Sequence, residues 1–443
     1  MPPALPDSLA KLLSLLCRPA FSAPSFDTFC WLVHGFVGRI GEHTITGVWQ
    51  AARLGGVLHH SRAHDFFARR RWSPDRVGLL VAQFVVERFV AADAPIRIAV
   101  DDTLFRRSGR KVFAAGWHFD GDAKAGRSVQ FGNAFVCLGL FVSLPAVGER
   151  VVCLPVLFRL WRPPAAGGQH RTMIELAHEL VALIAARFAN RRVEFSADGA
   201  YATKALRALP DNVVALVRLR TNAALYAPAP ERTRRPGRPR KKGQRLGSPA
   251  ELLDSSNGLQ SVELARADGT PRRLEAVTLD CLWYKGLGQR TVRVVAAREV
   301  KSPERVLLSV LSTDLQLPAA EILSRYLDRW AIEVAFQQAK GELGVGQARN
   351  RVARAVERTV PFGFLCQTLT LLWYALYGDP DTDVARRRRH APWYRQKRLP
   401  AFADMLVALR RELIQAEFRA QHLPDHSRTK THRPRPAQTA TAA

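Results

Sequence analysis

Four acidic residues stand where a chain could assemble a site for phosphodiester chemistry. Asp101 and Asp102 follow directly on the apolar run 96–100, Asp198 closes the run 193–197, and Glu333 lies in a helical stretch beginning near Ala319. Carboxylates at the ends of neighbouring strands, joined by a third from a packing helix, can converge on two divalent ions that activate water and stabilise a leaving 3′ oxygen. A ligand set made only of oxygens suits Mg2+ or Mn2+ better than zinc. Any one of these acids alone reads as an ordinary solvated loop residue; the surroundings of Glu333 change that.

Those surroundings read YLDRWAIEVAFQQAK, with Tyr326, Arg329, Glu333 and Lys340 at offsets of three, seven and fourteen. At 3.6 residues per turn the four project within about 60° of one another as one polar stripe. Ile332, Phe336 and Leu343 fall to one side and form a face that can pack on a sheet. An exposed ion-pair stripe has the same spacing. A tyrosine hydroxyl in line with Arg and Lys also suits a surface that grips phosphates beside a metal.

The elements that must position these residues follow from the apolar pattern. Residues 1–92 carry helical spacing, as in Leu9, Leu12, Leu13 and Leu16. Short apolar runs at 96–100, 129–144, 151–161, 193–197 and 213–217 read as strands of one buried sheet, with a helix at 172–188. Residues 225–275 interrupt that order with Pro, Gly, Arg and Lys, and strand-like alternation returns at 278–284, 291–297 and 306–311. From 319 to 377 the pattern is helical again, and a basic, Pro- and Thr-rich tail follows residue 422. The expected fold is α/β: a mixed-sheet core at 93–221 and 316–378, interrupted by a mostly β insertion at 222–315. An all-helical N-terminal domain at 1–92 precedes it, and a basic C-terminal region at 379–443 ends the chain.

Charge narrows the partner. The 443 residues hold 66 Lys+Arg against 39 Asp+Glu, a formal net charge of +27, which points to a polyanion. No N-terminal stretch has the regions of a signal peptide, and the apolar run 362–377 is broken by Gln367, Thr368 and Thr370, so a buried helix is expected there and not a membrane span. The expected setting is cytoplasmic, at the nucleoid. Six scattered cysteines without a CxxC pair read as reduced core residues, and His59, His60 and His64 lack a partner that would complete a metal site.

Two kinds of basic segment could touch DNA, one in the insertion and one in the C-terminal region. In RRPGRPRKKG (234–243), Gly237, Arg238 and Pro239 form the centre of an AT-hook-like pattern flanked by Arg235 and Arg240, suited either to a narrow minor groove or to sequence-blind phosphate contact. The basic runs 386–389 and 395–398 could touch backbone or simply be solvated.

The chain resembles the DDE transposases of insertion sequences, in the branch with an RNase H-like core and a β insertion. That branch carries a signature of Tyr, two residues, Arg, three residues, Glu, six residues, Lys, which Tyr326, Arg329, Glu333 and Lys340 match in full. Asp198, Gly199, Ala200 and Tyr201 resemble the family's second aspartate with its Gly and aromatic, and Asp101, Asp102 and Thr103 its first. GWHFDG (116–121) and APWYRQK (391–397) are similar too, so the likeness spans most of residues 20–410. The resemblance implies Asp101, Asp198 and Glu333 as ligands of two Mg2+ or Mn2+ ions, with Asp102 an alternative to Asp101. It implies phosphate contacts by Arg329, Lys340 and Tyr326, and DNA binding by the helical N-terminal domain at 1–92. It also suggests an aromatic such as Trp283 holding a flipped base, although packing is the commoner role for such a residue. The implied activity is cleavage at terminal inverted repeats, in some members through a hairpin, followed by strand transfer into target DNA by a homodimer. The alternatives are an RNase H-like nuclease without strand transfer and a transposase-derived DNA-binding repressor.

Overall fold

The computed structural model describes residues 4–119, 129–148, 150–164, 170–231, 239–255, 258–265, 271–300 and 302–422. Five helices come first: α1 (Asp7–Cys17), α2 (Ala23–Gly38), α3 (Ile45–Ala51), α4 (Ser61–Ala68) and α5 (Pro74–Phe89). The core then runs β1 (Ile96–Arg106), β2 (Gly116–Phe119), β3 (Val129–Ser143), β4 (Val151–Leu160), α6 (Met173–Arg187), β5 (Val193–Ala197) and β6 (Val213–Arg218). The insertion supplies β7 (Leu225–Tyr226), β8 (Arg245–Gly247), α7 (Pro249–Asp254), β9 (Gln260–Ala265), β10 (Pro271–Leu282), α8 (Tyr284–Leu287), β11 (Thr291–Glu299) and β12 (Ser302–Ser312). Five helices close the chain: α9 (Ala319–Leu327), α10 (Trp330–Gly341), α11 (Ala353–Tyr377), α12 (Pro380–His390) and α13 (Phe402–His422).

Within the sheet, β4, β3, β1, β5 and β6 lie side by side; β3 is antiparallel to its neighbours, whereas β5 and β6 run parallel to β1. This is an RNase H-like core, and the fold is mixed α/β. The insertion continues the same sheet: β12 pairs antiparallel with β6 through Val310–Arg218, Leu311–Val217 and Ser312–Leu216, and β11 and β10 follow outward. The short strand β2, absent from the sequence reading, pairs with the start of β3.

Local chemistry explains the boundaries. Thr172 caps α6, accepting from the Glu175 N–H while Glu175 accepts from the Thr172 N–H, a reciprocal capping box. Ser73 caps α5 ahead of Pro74 at its first turn. The N-terminal helices share the sheet's core instead of closing one of their own. Gly78 on α5 approaches β4 so closely that a Cβ there would lie 1.9 Å from the Val156 carbonyl oxygen. Helix α11 is apolar and long enough to cross a bilayer, yet 89% of its most apolar window is buried inside the protein, against β4, α2, α4 and α13. All six cysteines are buried and free.

One expected helix is broken. The stretch from 319 onward forms α9, α10 and α11 as separate helices, with Asp328 and Arg329 at the first break. Arg97 of β1 captures the end of α9, donating to the Arg325 carbonyl at 3.0 Å and to Asp328 Oδ2 at 2.8 Å. The Arg329 N–H then bonds Tyr326 O, closing a tighter turn. Helix α9 packs over β9, β11, β12 and β6, with Tyr326 in that cluster, while α10 packs on β4 and β1.

Candidate active site

Strand register sorts the four acids by face. β1 keeps pairing with β3 through Arg106 but with β5 only through Val100–Ala197. Asp101 and Asp102 therefore sit inside β1, at the point where its parallel neighbour ends, and Asp198 is the next residue after that neighbour. Side chains alternate along a strand, so Arg97 and Asp101 share one face with Glu194 on β5. Asp102 faces the other way: its row continues through Val136 to Arg159, which bonds Asp75 of α5 and Glu179 of α6.

On the first face, Arg329 joins two acids far apart in sequence. Its Nη1 donates to Asp101 Oδ2 at 2.9 Å and its Nη2 to Glu333 Oε1 at 2.7 Å. Glu333 lies in the first turn of α10, where the helix dipole favours an anion. Burial pushes the Asp101 carboxyl up to about 7, against the opposing pull of Arg329, with Asp102 and Glu333 adding to the rise. Behind this row Glu194, only 1% exposed, is held by Arg97 at 3.4 Å and by Arg325, so α9 is fastened to the strand that ends in Asp198.

On the other face, the Tyr201 hydroxyl donates to Asp102 Oδ1 at 3.3 Å. Burial holds the Tyr201 phenol well above its usual range, so it remains a donor. Desolvation raises the Asp102 carboxyl and the Tyr201 bond lowers it. Asp198 is more open, with Arg218 at 4.0 Å.

The structure thus brings Asp101, Glu333 and Arg329 into direct contact, while Asp198 follows the end of the neighbouring strand and its charge acts on Asp102. Among the described residues no three Asp, Glu, His or Cys side chains are close enough together to hold one ion. Between Asp101 and Glu333 stands the Arg329 fork. The donor set itself fits a hard divalent ion, being all carboxylate and including one, Asp101, whose charged form burial disfavours and a cation would favour.

The remaining candidates fall around this centre. Tyr326 is buried, with its ring centroid 5.9 Å from the Arg329 guanidinium carbon; burial pushes its phenol up to about 12, so it too is a hydroxyl donor. Lys340, two turns along α10, lies with its ammonium 5.3 Å from the Phe105 ring. Trp283 is 8% exposed, and its ring lies so tightly on Gly286 that a Cβ there would come within 2.0 Å of it, which is a packing role. Arg240 is exposed, whereas Arg235 and Arg238 lie outside the described residues. His59, His60 and His64 are exposed. Arg387 and Lys397, in the basic C-terminal runs, both pair with Asp404. Sequence reasoning missed Arg97, Glu194 and Arg207; the signal available for the first two was their two-residue periodicity with Asp101 and Asp198.

Carboxylates clustered where the parallel pairing of adjacent strands stops in an RNase H-like sheet, with a glutamate reaching in from a covering helix, suit an enzyme that acts on phosphodiesters. A sequence profile of the DDE superfamily endonucleases matches residues 27–290, more than half of the chain. The chain belongs to this family, whose members cleave DNA and generally use divalent metal ions. The matched span contains Asp101, Asp102 and Asp198 and ends before Glu333. No curated protein matches the chain.

Proposed function

We propose that the protein is the transposase of a bacterial insertion sequence, cutting at the element's terminal inverted repeats and transferring the freed ends to target DNA. The observation that carries this reading is the meeting of Asp101 and Glu333 through Arg329, at the edge where Asp198 ends its strand. A nuclease site needs acids from distant segments at one point, and an incidental helix-surface ion pair would not reach the central strand.

In this reading Asp101, Asp198 and Glu333 hold two Mg2+ or Mn2+ ions. When bound, such ions lower the pKa of attacking water and offset charge on the leaving 3′ oxygen. Arg329 moves from the carboxylates to the phosphate being cut, where its planar fork can pair two oxygens. Tyr326 donates its hydroxyl to the backbone beside it, and Lys340 holds a phosphate further along α10. Water attacks in line and releases a 3′ hydroxyl, which then attacks a second phosphodiester in the transfer step. Two copies act together because two ends must be joined, and the work is done at the nucleoid.

The test is to incubate purified protein with a labelled duplex carrying the element's own end, in Mg2+ or in EDTA, beside Glu333→Ala. The expected result is metal-dependent cleavage at the end, absent from the variant, with joined products when target DNA is added. Cleavage without joining would leave a nuclease only; specific binding with no cleavage would make the protein a DNA-binding repressor.

A further inference from the structure

The stretch after Asp198 does more than end a strand. A 3-10 turn, Lys204–Ala208, begins six residues beyond Asp198 and packs against α8 of the insertion. Arg207 on that turn donates from Nε to the Gly286 carbonyl at 2.7 Å. This leaves its terminal nitrogens directed past Gly288, where a Cβ would sit 3.6 Å from Nη2. Gly288 has φ +63, a left-handed backbone that a glycine adopts without strain.

A cavity of about 540 Å³ opens here, lined by Arg207, Lys241, Tyr284, Lys285, Gly288 and Gln289. Its lining holds three cations and no carboxylate. Among the described residues, Arg207, Lys241 and Lys285 form no salt bridge with an acid. Lys242, next along the same segment, lies 3.6 Å from the Tyr226 ring centroid and 5.2 Å from that of Tyr284, which fixes one wall. Three cations facing one opening attract an anion to it.

We infer that this cavity binds a backbone phosphate of a DNA strand lying on the enzyme, with Arg207, Lys241 and Lys285 as its ligands. The inference rests on the transposase reading for the identity of the strand. Three features favour a DNA phosphate over a free anion. The turn that supplies Arg207 begins six residues after Asp198, the described end of the basic segment 234–243 supplies Lys241, and an aromatic residue, Tyr284, lines the same cavity. A strand held at this point and at Arg329 would span from the insertion to the carboxylates, fixing its path across the sheet edge.

The experiment measures binding of a labelled blunt duplex to the full-length protein in EDTA across a range of NaCl concentrations, so that no cleavage intervenes. The Lys241→Gln/Lys285→Gln double variant should bind about tenfold more weakly, with a log-affinity against log-salt slope shallower by about 0.9, the value for one lost phosphate contact. Lys285→Gln alone, at an exposed position, should give part of the same change and keeps the test usable if the double variant does not fold. Wild-type and variant slopes that stay parallel would overturn the assignment. So would inorganic phosphate raising the melting temperature of wild type but not of the variant while the DNA slopes coincide, since the cavity would then serve a free anion. Wild-type protein that binds no duplex at all would remove both this inference and the transposase reading. A variant-sensitive slope in a protein that never cuts would remove only the catalytic reading.

Discussion

Arg329 stands 2.9 Å from Asp101, and the same guanidinium holds Glu333 at 2.7 Å, so a side chain of the protein itself occupies the position between two acids suited to a metal. Metal and arginine must therefore compete for those carboxylates. Removing the arginine should help the ion and hurt the chemistry.

Arg329→Gln is expected to bind Mn2+ about tenfold more tightly without DNA, because about 1.4 kcal/mol of competing attraction is lost. Its cleavage rate should fall by about a hundredfold, as expected when a donor to transition-state charge is removed. Calorimetric titration of Mn2+ into DNA-free protein reads the first effect. A variant with weaker metal binding would show that Arg329 supports the site and does not compete for it.

The opposed faces of the doublet separate its members. Asp101→Asn should lower cleavage of an end-labelled duplex by about a thousandfold, whereas Asp102→Asn should stay within about tenfold of wild type, since only a direct ligand carries the full loss. Equal losses in the two variants would show that the doublet acts as a unit.

Glu194 tests the support behind the site. With Glu194→Ala, Arg97 and Arg325 remain beside each other without their shared acid, and stability should drop by about 3–5 kcal/mol. Urea unfolding measures this, and the Arg325→Met/Glu194→Met pair should recover part of it. A loss below 1 kcal/mol would mean that α9 is held by its apolar contacts alone.

Trp283 offers a choice between two roles that stability can separate. If its ring is packing, Trp283→Ala should cost about 3–5 kcal/mol. A variant as stable as wild type but defective on DNA would return Trp283 to the base-holding role.

Much of this was legible from the residues. The strand 193–197, the acid that closes it, and the helical N-terminal stretch could be read because each rests on local periodicity and capping. Asp101 and Asp102 read as following a strand, but they lie inside one, because β3 goes on pairing with β1 after β5 has stopped; register with a distant partner leaves no local mark. The break at Asp328 and Arg329 was also silent, having neither Gly nor Pro. Arg97, more than two hundred residues earlier, makes it by capturing the Arg325 carbonyl. The geometry of the site thus depends on contacts between segments whose sequences look ordinary by themselves.

The join between β6 and β12 also bears on how the molecule is made. During synthesis the outer edge of β6 stays without its partner until roughly a hundred further residues have emerged, a wait of roughly 5–20 s at usual elongation rates. Glu333 emerges later still, after the sheet it must meet can close. A nascent chain thus presents the aspartates of the sheet first and Glu333 only after roughly 130 further residues, so the four acids cannot meet until α10 has been made.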